Sequence, residues 1–460
     1  MSVPYWVPDA VFYQIFPDRF ANGDPANDPP NVVPWGSKPT IWNFMGGDLR
    51  GILQRLDHLL DLGITAIYLN PIFQATSNHR YNISDYYRID PKLGTMDDFR
   101  ALLAACHANG VRVVLDGVFN HTGRGFFAFN DILENGEHSP YRDWYHIRRF
   151  PPRAYGEGQA EDYEAWWGFR SLPKLNTDNP AVRAFIFDVA RYWLTQGIDG
   201  WRLDVPNEID DDAFWQTFRQ VVKEANPDAY LVGEIWTADA RWVRHFDGLM
   251  HYPLREAILG FVGGALEAEA FAEQLQSFVA LYGEHAQGMY LPLGSHDTER
   301  VITVLGDEAK VRLAMGLQFG YPGAPAVYYG DEIGLEGGKD PDNRRAFPWD
   351  EGQWRREIRR WVQRLSALRR RTPALRRGAF VPLMARNAQR CVAFGRLLAG
   401  EGVVVVANAS PVRRHCHLPV RGMGWEDGRI VRDLLSGVEQ VVSGEMLHWD
   451  LSPWQVAWLA

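Results

Sequence analysis

The feature that most constrains this chain is an alternation of short apolar runs with helix-length segments. It begins near residue 11 and continues to about residue 375. Strand-like runs separated by helical stretches are the pattern of a parallel α/β sheet. Residues 11–16, 66–70, 111–116, a run ending at Asp204, 230–233, 248–252, 289–294 and 326–329 supply the strands. Residues 49–62, 96–109 and 180–195 carry helical periodicity between them. Eight parallel strands close on themselves, so the expected fold is α/β, a (β/α)8 TIM barrel.

Two stretches break the rhythm. Residues 122–171 are rich in Gly, Pro, Tyr and Trp and read as an inserted subdomain after the third strand. From about Arg376 strand-like runs at 391–394, 403–407 and 455–459 follow one another with little helix between them. They read as a C-terminal antiparallel β-sandwich that covers a barrel face. The expected organisation is a barrel from 1–121 and 172–375, an insert at 122–171 and a sandwich at 376–460.

Composition narrows the partners. A formal net charge of −9 with no basic block argues against nucleic acid and anionic membrane. No apolar run is long enough to span a bilayer, and residues 1–5 lack the basic and apolar regions of a secretory signal, so a cytoplasmic location is expected. Cys106, Cys391 and Cys416 fit neither a disulfide framework nor a zinc pattern. Cys106 reads as a small core residue. The 18 tryptophans mostly read as core, yet an indole face also suits the apolar face of a sugar.

Four stretches carry the chemistry: 116–121 (DGVFNH), 200–204 (GWRLD), 233–236 (GEIW) and 295–297 (SHD). Each ends or follows an apolar strand, and the C-terminal rim of a barrel is where active sites are built. Retaining glycoside hydrolysis needs two carboxyl groups about 5–5.5 Å apart, one nucleophile and one acid. Asp204 and Glu234 stand one βα unit apart. Arg202 lies two positions before Asp204, on the same side of the strand, where its charge favours the ionised carboxylate. Ile235 and Trp236 suggest an apolar wall that keeps Glu234 protonated. Asp297 and His296 are placed to bind sugar hydroxyls and steady positive charge on the ring, and His121 to donate to a hydroxyl. Phe126, Phe127 and Trp236 are candidates for the cleft wall, with core packing the alternative.

With these motifs in this order, the chain resembles the α-amylase superfamily of glycoside hydrolases over essentially its whole length. The resemblance implies Asp204 as nucleophile, Glu234 as general acid/base and Asp297 as transition-state stabiliser, with Arg202, His121 and His296 beside them. It also implies a sugar platform at Tyr81, within His79-Arg80-Tyr81. After the nucleophile stand Asn207 and Glu208, where starch α-amylases usually have a Lys-His pair. Together with residues 172–176 (LPKLN), this is similar to the neopullulanase, cyclomaltodextrinase and maltogenic amylase group. Members of that group usually carry an extra N-terminal β domain that builds a dimer. This chain opens directly into the barrel at residues 6–10, which leaves a homodimer and the substrate size as open questions.

Two further loops are candidates. Asn22, Asp24, Asn27 and Asp28 set four oxygen-bearing side chains around a turn, which suits a hard cation such as Ca²⁺ or is a plain Asx-rich turn. The loop resembles a structural calcium site of cyclodextrin glucanotransferases, whose Gly-Gly-Asp is matched here by Gly46, Gly47 and Asp48. Asp342 with the adjacent Arg345 is placed either to grip a sugar or to form a solvated loop. The expected activity is hydrolysis of α-1,4 bonds, and of α-1,6 bonds as an extension, in short or cyclic maltooligosaccharides, the α-glucan partner. Transglycosylation and endo-acting α-amylase activity use the same residues and stay open. Three intact carboxylates disfavour a non-catalytic glucan-binding protein.

Overall fold

The computed structural model describes residues 3–460; Met1 and Ser2, part of the N-terminal stretch considered above, lie outside the described residues. Its first ten strands are β1 (Phe12–Ile15), β2 (Ala66–Leu69), β3 (Phe73–Ala75), β4 (Ile83–Ile89), β5 (Arg112–Gly117), β6 (Gly200–Leu203), β7 (Tyr230–Gly233), β8 (Gly248–Leu249), β9 (Tyr290–Pro292) and β10 (Ala324–Tyr328). Eight of them form one parallel sheet in the order β8-β7-β6-β5-β2-β1-β10-β9. A parallel bridge from Met250 to Tyr290 joins its two edges, so the sheet closes as a TIM barrel.

Alternation along each strand divides the side chains into two shells. Phe12, Ala66, Tyr68, Val114, Tyr230, Val232 and Tyr290 fill the barrel interior. Tyr13, Ile67, Leu69, Val113, Leu115, Trp201, Leu203 and Leu231 face outward into the helical layer. Burial on both faces explains why these strands read as continuous apolar runs. The same parity carries a polar layer above the apolar one. Asp116 follows Val114 by two positions, Arg202 and Asp204 share one side of β6, and Glu234 follows Val232, so all of them face inward.

Three local differences from the sequence expectation have physical causes. The segment 49–62 is two helices, Leu49–Gln54 and Leu56–Asp61, broken at Arg55, whose guanidinium lies 4.2 Å from the Trp349 ring centroid. The sixth barrel strand is only Gly248–Leu249, because the His251 side chain accepts from Leu254 N–H and caps the helix Tyr252–Gly263. An antiparallel hairpin, β3 with β4, stands where no strand pair was expected, and its connection carries residues 79–81.

Residues 122–171 hold one α-helix, Phe127–Asn135, and otherwise short turns tied by single bridges; two of these, Tyr145 to Leu175 and Ala165 to Pro173, reach past residue 171, and His121 just before the insert bridges to Lys174. The C-terminal strands are β11 (Ala379–Arg386), β12 (Cys391–Leu398), β13 (Glu401–Asn408), β14 (Arg414–Pro419), β15 (Ile430–Arg432), β16 (Glu439–Val441), β17 (Met446–Leu451) and β18 (Gln455–Leu459). They form an antiparallel four-stranded sheet, β11-β12-β13-β18, and two antiparallel pairs, β14-β17 and β15-β16. One face of the larger sheet packs on the barrel through Phe394, Val405, Val456 and Trp458, and Trp458 Nε1 donates to Gly316 O at 3.2 Å. Its other face meets Cys416, Leu418, Leu447, Trp449 and Leu451 of the β14-β17 pair. Cys106 is fully buried in the barrel core.

Candidate active site

The polar layer at the strand tips is organised by one cation. Arg202 is 1% exposed. Its Nη1 donates to Asp116 Oδ1 and Asp204 Oδ1, each at 2.8 Å, and its Nη2 lies 2.9 Å from Glu234 Oε1 in an ion pair. Backbone bonds hold the two tips in register: Asp204 N–H donates to Gly117 O at 3.1 Å and Glu234 N–H to Leu203 O at 3.0 Å. Val205, the residue after Asp204, adopts the left-handed conformation at φ +36° and donates its N–H to Glu234 Oε2 at 2.9 Å. Trp236 Nε1 donates to Glu234 Oε1 at 3.3 Å, and the indole stacks on Tyr252 at 3.7 Å while remaining half exposed.

The expected apolar wall around Glu234 is absent. Ile235 points into the core, and Glu234 meets a cation and two N–H donors instead. Three carboxyl groups, Asp116, Asp204 and Glu234, share one guanidinium and are nearly dry. Burial pushes Asp204 well above the usual carboxylate range, with Glu234 and Asp116 adding to the rise and Arg202 opposing it.

Around this centre the histidines are neutral. Burial takes His121 down to about 3 and puts His296 well below its ordinary value, the latter with help from Arg344 and Arg202. Gln14 Nε2, an amide donor, sits 2.9 Å from His296 Nδ1, so Nε2 carries the ring proton; that atom lies 2.7 Å from Tyr81 Oη and 3.1 Å from Asp297 Oδ2. By the same reasoning Asn120 Nδ2, at 3.2 Å from His121 Nδ1, leaves the proton on His121 Nε2, a buried atom without a hydrogen-bond acceptor among the described residues. Tyr81 Oη donates to Asp116 Oδ2 at 2.8 Å and accepts from Asn70 Nδ2 at 3.0 Å.

The structure thus brings Asp204, Glu234, Asp297, Arg202, His296, Tyr81 and His121 together. Other candidates lie further out. Asn207 is exposed, and Glu208 is tied to the inserted segment by Lys174, whose Nζ donates to Glu208 O at 2.9 Å. Asp342 and Arg345 bind each other in a two-point ion pair, at 2.9 and 2.8 Å. It is Arg344 that reaches the site, donating through Nε to His296 O and lying 3.5 Å from Asp297 Oδ1. Phe126 is core, packed against Tyr86 and Phe185; Phe127 is half exposed at the start of its helix, against Tyr141 and Trp144. Sequence reasoning missed Gln14, Tyr68, Asn70 and Arg344 as members of the network, and gave Asp116 no role of its own. The inward parity of β1, β2 and β5 is the signal that finds the first three and Asp116. Trp166 was also missed; it stacks on His121 at 5.7 Å and on Trp167 at 4.7 Å, and Trp167 is 71% exposed.

The Asn22–Asp28 loop is built around Asp48, which accepts from Gly23 N, Asp24 N, Gly51 N and Asn27 Nδ2. Asp24 is taken up by Arg50 at 2.7 Å. Gly46 sits so close that a Cβ there would meet Asp28 Oδ1 at 2.2 Å. Asn22 Oδ1 and Asn27 Oδ1 are buried acceptors without a donor among the described residues, and Asp28 is raised by burial, against the hydrogen bond from Asn22 Nδ2 and with Asp48 and Asp24 adding to the rise. These oxygens fit a hard cation.

Desolvation in the barrel mouth, where the Asp297 side chain keeps 29% of its exposure, and then the charge of Glu234 raise Asp297 to about 7 against the pull of Arg344 and Arg202. A carboxyl raised in the folded state stabilises the fold below its unfolded value near 4, and that contribution is lost as pH rises through about 7. Asp297→Asn removes the loss. The difference in melting temperature, variant minus parent, is therefore expected to grow between pH 4 and pH 8. A difference independent of pH would mean that Asp297 ionises like a surface group.

Comparison with known proteins places this geometry. The Alpha amylase, catalytic domain family matches residues 14–377. Neopullulanase 2 of Thermoactinomyces vulgaris is 43% identical over 461 residues, spanning 99% of this chain and 78% of its own length. A cyclomaltodextrinase of Geobacillus thermopakistaniensis is also 43% identical, over 98% of this chain and 77% of its own. Among solved structures, the cyclic alpha-maltosyl-(1→6)-maltose hydrolase from Arthrobacter globiformis, in complex with cyclic alpha-maltosyl-(1→6)-maltose, superposes with a TM-score of 0.90 at 41% identity, covering 100% of both chains. The chain belongs to the α-amylase family of glycoside hydrolases.

Proposed function

We propose that this glycoside hydrolase cleaves α-1,4 glucosidic bonds of short or cyclic maltooligosaccharides with retention of the anomeric configuration, and that α-1,6 bonds fall within its reach. The observation that carries the reading is the single guanidinium of Arg202 lying against both Asp204 and Glu234. Two carboxyls held on one fork are close neighbours, which suits the retaining mechanism, whose pair stands about 5–5.5 Å apart, better than the inverting one at about 6.5–9.5 Å. Asp204 attacks the anomeric carbon as Glu234 gives its proton to the departing glycosidic oxygen. Glu234 then takes a proton from the water that attacks the same carbon, and Asp204 leaves. Asp297 and the neutral His296 and His121 hold ring hydroxyls while positive charge builds on the sugar.

Asp204→Asn and Glu234→Gln are expected to lower kcat by several powers of ten with the fold intact, and the parent's first product is expected as the α-anomer by NMR. More than about a tenth of parental kcat in either variant would remove that residue from its role.

The substrate class rests on the relatives' names, on Asn207 and Glu208 after the nucleophile and on the Lys174 tether that fixes this turn against the inserted segment. Relatives also include an intracellular maltogenic amylase of Bacillus subtilis, at 39% identity, which supports an enzyme that meets imported oligosaccharides rather than external starch. We expect kcat/KM on a cyclodextrin or short linear maltooligosaccharide to exceed that on soluble starch, per bond, by at least about tenfold, or roughly 1.4 kcal/mol of differential transition-state binding. Equal efficiency would favour an endo-acting α-amylase.

We further propose that Asn22, Asn27, Asp28 and Gly46 hold a structural Ca²⁺, in the loop that Asp48 and Asp24 shape. Bound there, the ion would supply charge neutralisation and loop rigidity, remote from bond cleavage. Thorough chelation is expected to lower the melting temperature by mass action on the native state, with activity at lower temperature little changed. An unmoved melting temperature with no calcium by elemental analysis would refute the site.

A further inference from the structure

Outside the barrel, three of the chain's 13 histidines meet on one solvent face of the C-terminal sandwich. The pair β14-β17 is antiparallel, with His417 opposite His448 and His415 opposite Asp450. Alternation sends Cys416, Leu418, Leu447, Trp449 and Leu451 inward to the sandwich core and His415, His417, His448 and Asp450 outward. One nitrogen from each imidazole lies within 4.8 Å of those of the other two. His417 stands edge-on to both neighbours, with ring centroids 4.8 Å from His415 and 4.7 Å from His448.

Nothing in the fold calls for this grouping. The three rings are exposed and seal no core. The placement does suit a metal. Directly opposed strand residues have Cβ atoms about 4.5–5.5 Å apart, and the i,i+2 neighbour completes a triangle. Nitrogens at Zn–N distances of about 2.0–2.1 Å in a tetrahedron stand roughly 3.3 Å apart. Exposed rings close that gap by side-chain rotation, with no backbone shift. The structure also supplies the outer partner that metal-binding imidazoles use. Asp450 Oδ1 lies 2.8 Å from His415 Nδ1, which fixes that ring and leaves Nε2 as its ligand atom.

We propose that His415, His417 and His448 bind a divalent transition-metal ion of the zinc class, oriented by Asp450, with a fourth position open to water. Three imidazoles favour Zn²⁺ or its late transition-metal neighbours over Ca²⁺ or Mg²⁺, which take oxygen. The ion joins β14 to β17 on the sandwich layer that faces away from the barrel, and is chemically separate from both the carboxylate centre and the oxygen-lined loop.

The test uses untagged full-length protein, stripped of metal and then titrated with Zn²⁺ by calorimetry, with Co²⁺ as a spectroscopic substitute. One equivalent of zinc is expected, with Kd below about 10 μM, together with the intense visible absorption of tetrahedral cobalt. His417→Ala and His448→Ala are each expected to weaken binding at least tenfold, and Asp450→Asn about tenfold. Each histidine variant should keep parental melting behaviour in the metal-free state and parental turnover on maltooligosaccharide, which separates this site from zinc held by the catalytic carboxylates. Absence of a stoichiometric site at 100 μM free zinc, or unchanged affinity in both histidine variants, would overturn the proposal.

Discussion

Arg202 carries the site. A buried guanidinium with three carboxyl neighbours is a concentrated electrostatic object at the centre of the barrel mouth. Removing the Arg202 cation would leave carboxyl groups uncompensated in a nearly dry place, which costs far more than breaking a surface pair. The cation therefore cannot be separated from the fold that buries it: β5, β6 and β7 each contribute one carboxyl to the same five-donor fork. Tyr68, Tyr81 and Asn70 close the ring by bonding to Asp116 or to each other. A site with this many mutual constraints is positioned before any sugar arrives, which is what electrostatic preorganisation requires.

Much of this architecture is legible in the residues because the barrel strands are buried on both faces. Continuous apolar runs such as 111–115 have few other places to go, and the charged residue that ends each run marks the rim. The β3-β4 hairpin was not legible. Its second strand mixes Ile83, Asp85, Tyr86, Arg88 and Ile89, and its pairing with β3 is irregular, so periodicity gives no clean signal. At the break, Arg55 meets a ring, Trp349, almost 300 positions away.

At the site, the motif residues were found because chemistry limits which side chains serve. The finer choices depended on local geometry that composition does not encode. Arg344 and Arg345 are adjacent and chemically identical. The turn Asp342–Arg344 sends the first toward Asp297 and leaves the second to pair with Asp342. Likewise the expected apolar surround of Glu234 was a reasonable inference from Ile235 and Trp236, but strand parity turns Ile235 outward. Burial, with the neighbouring carboxyls adding to it, is what raises Asp204 in the cluster.

The left-handed turn at Val205 has its own consequence. A β-branched residue at φ +36° is a conformation that L side chains avoid, at a cost of roughly 1–2 kcal/mol. The chain tolerates it because the turn aims the Val205 N–H at Glu234 while Asp204 stays on the strand tip. The free energy of ordering the acid against the nucleophile is thus committed when the polypeptide folds. Less of it then remains to be met when a flexible sugar chain enters, and more of the sugar's binding free energy is left for distorting its ring.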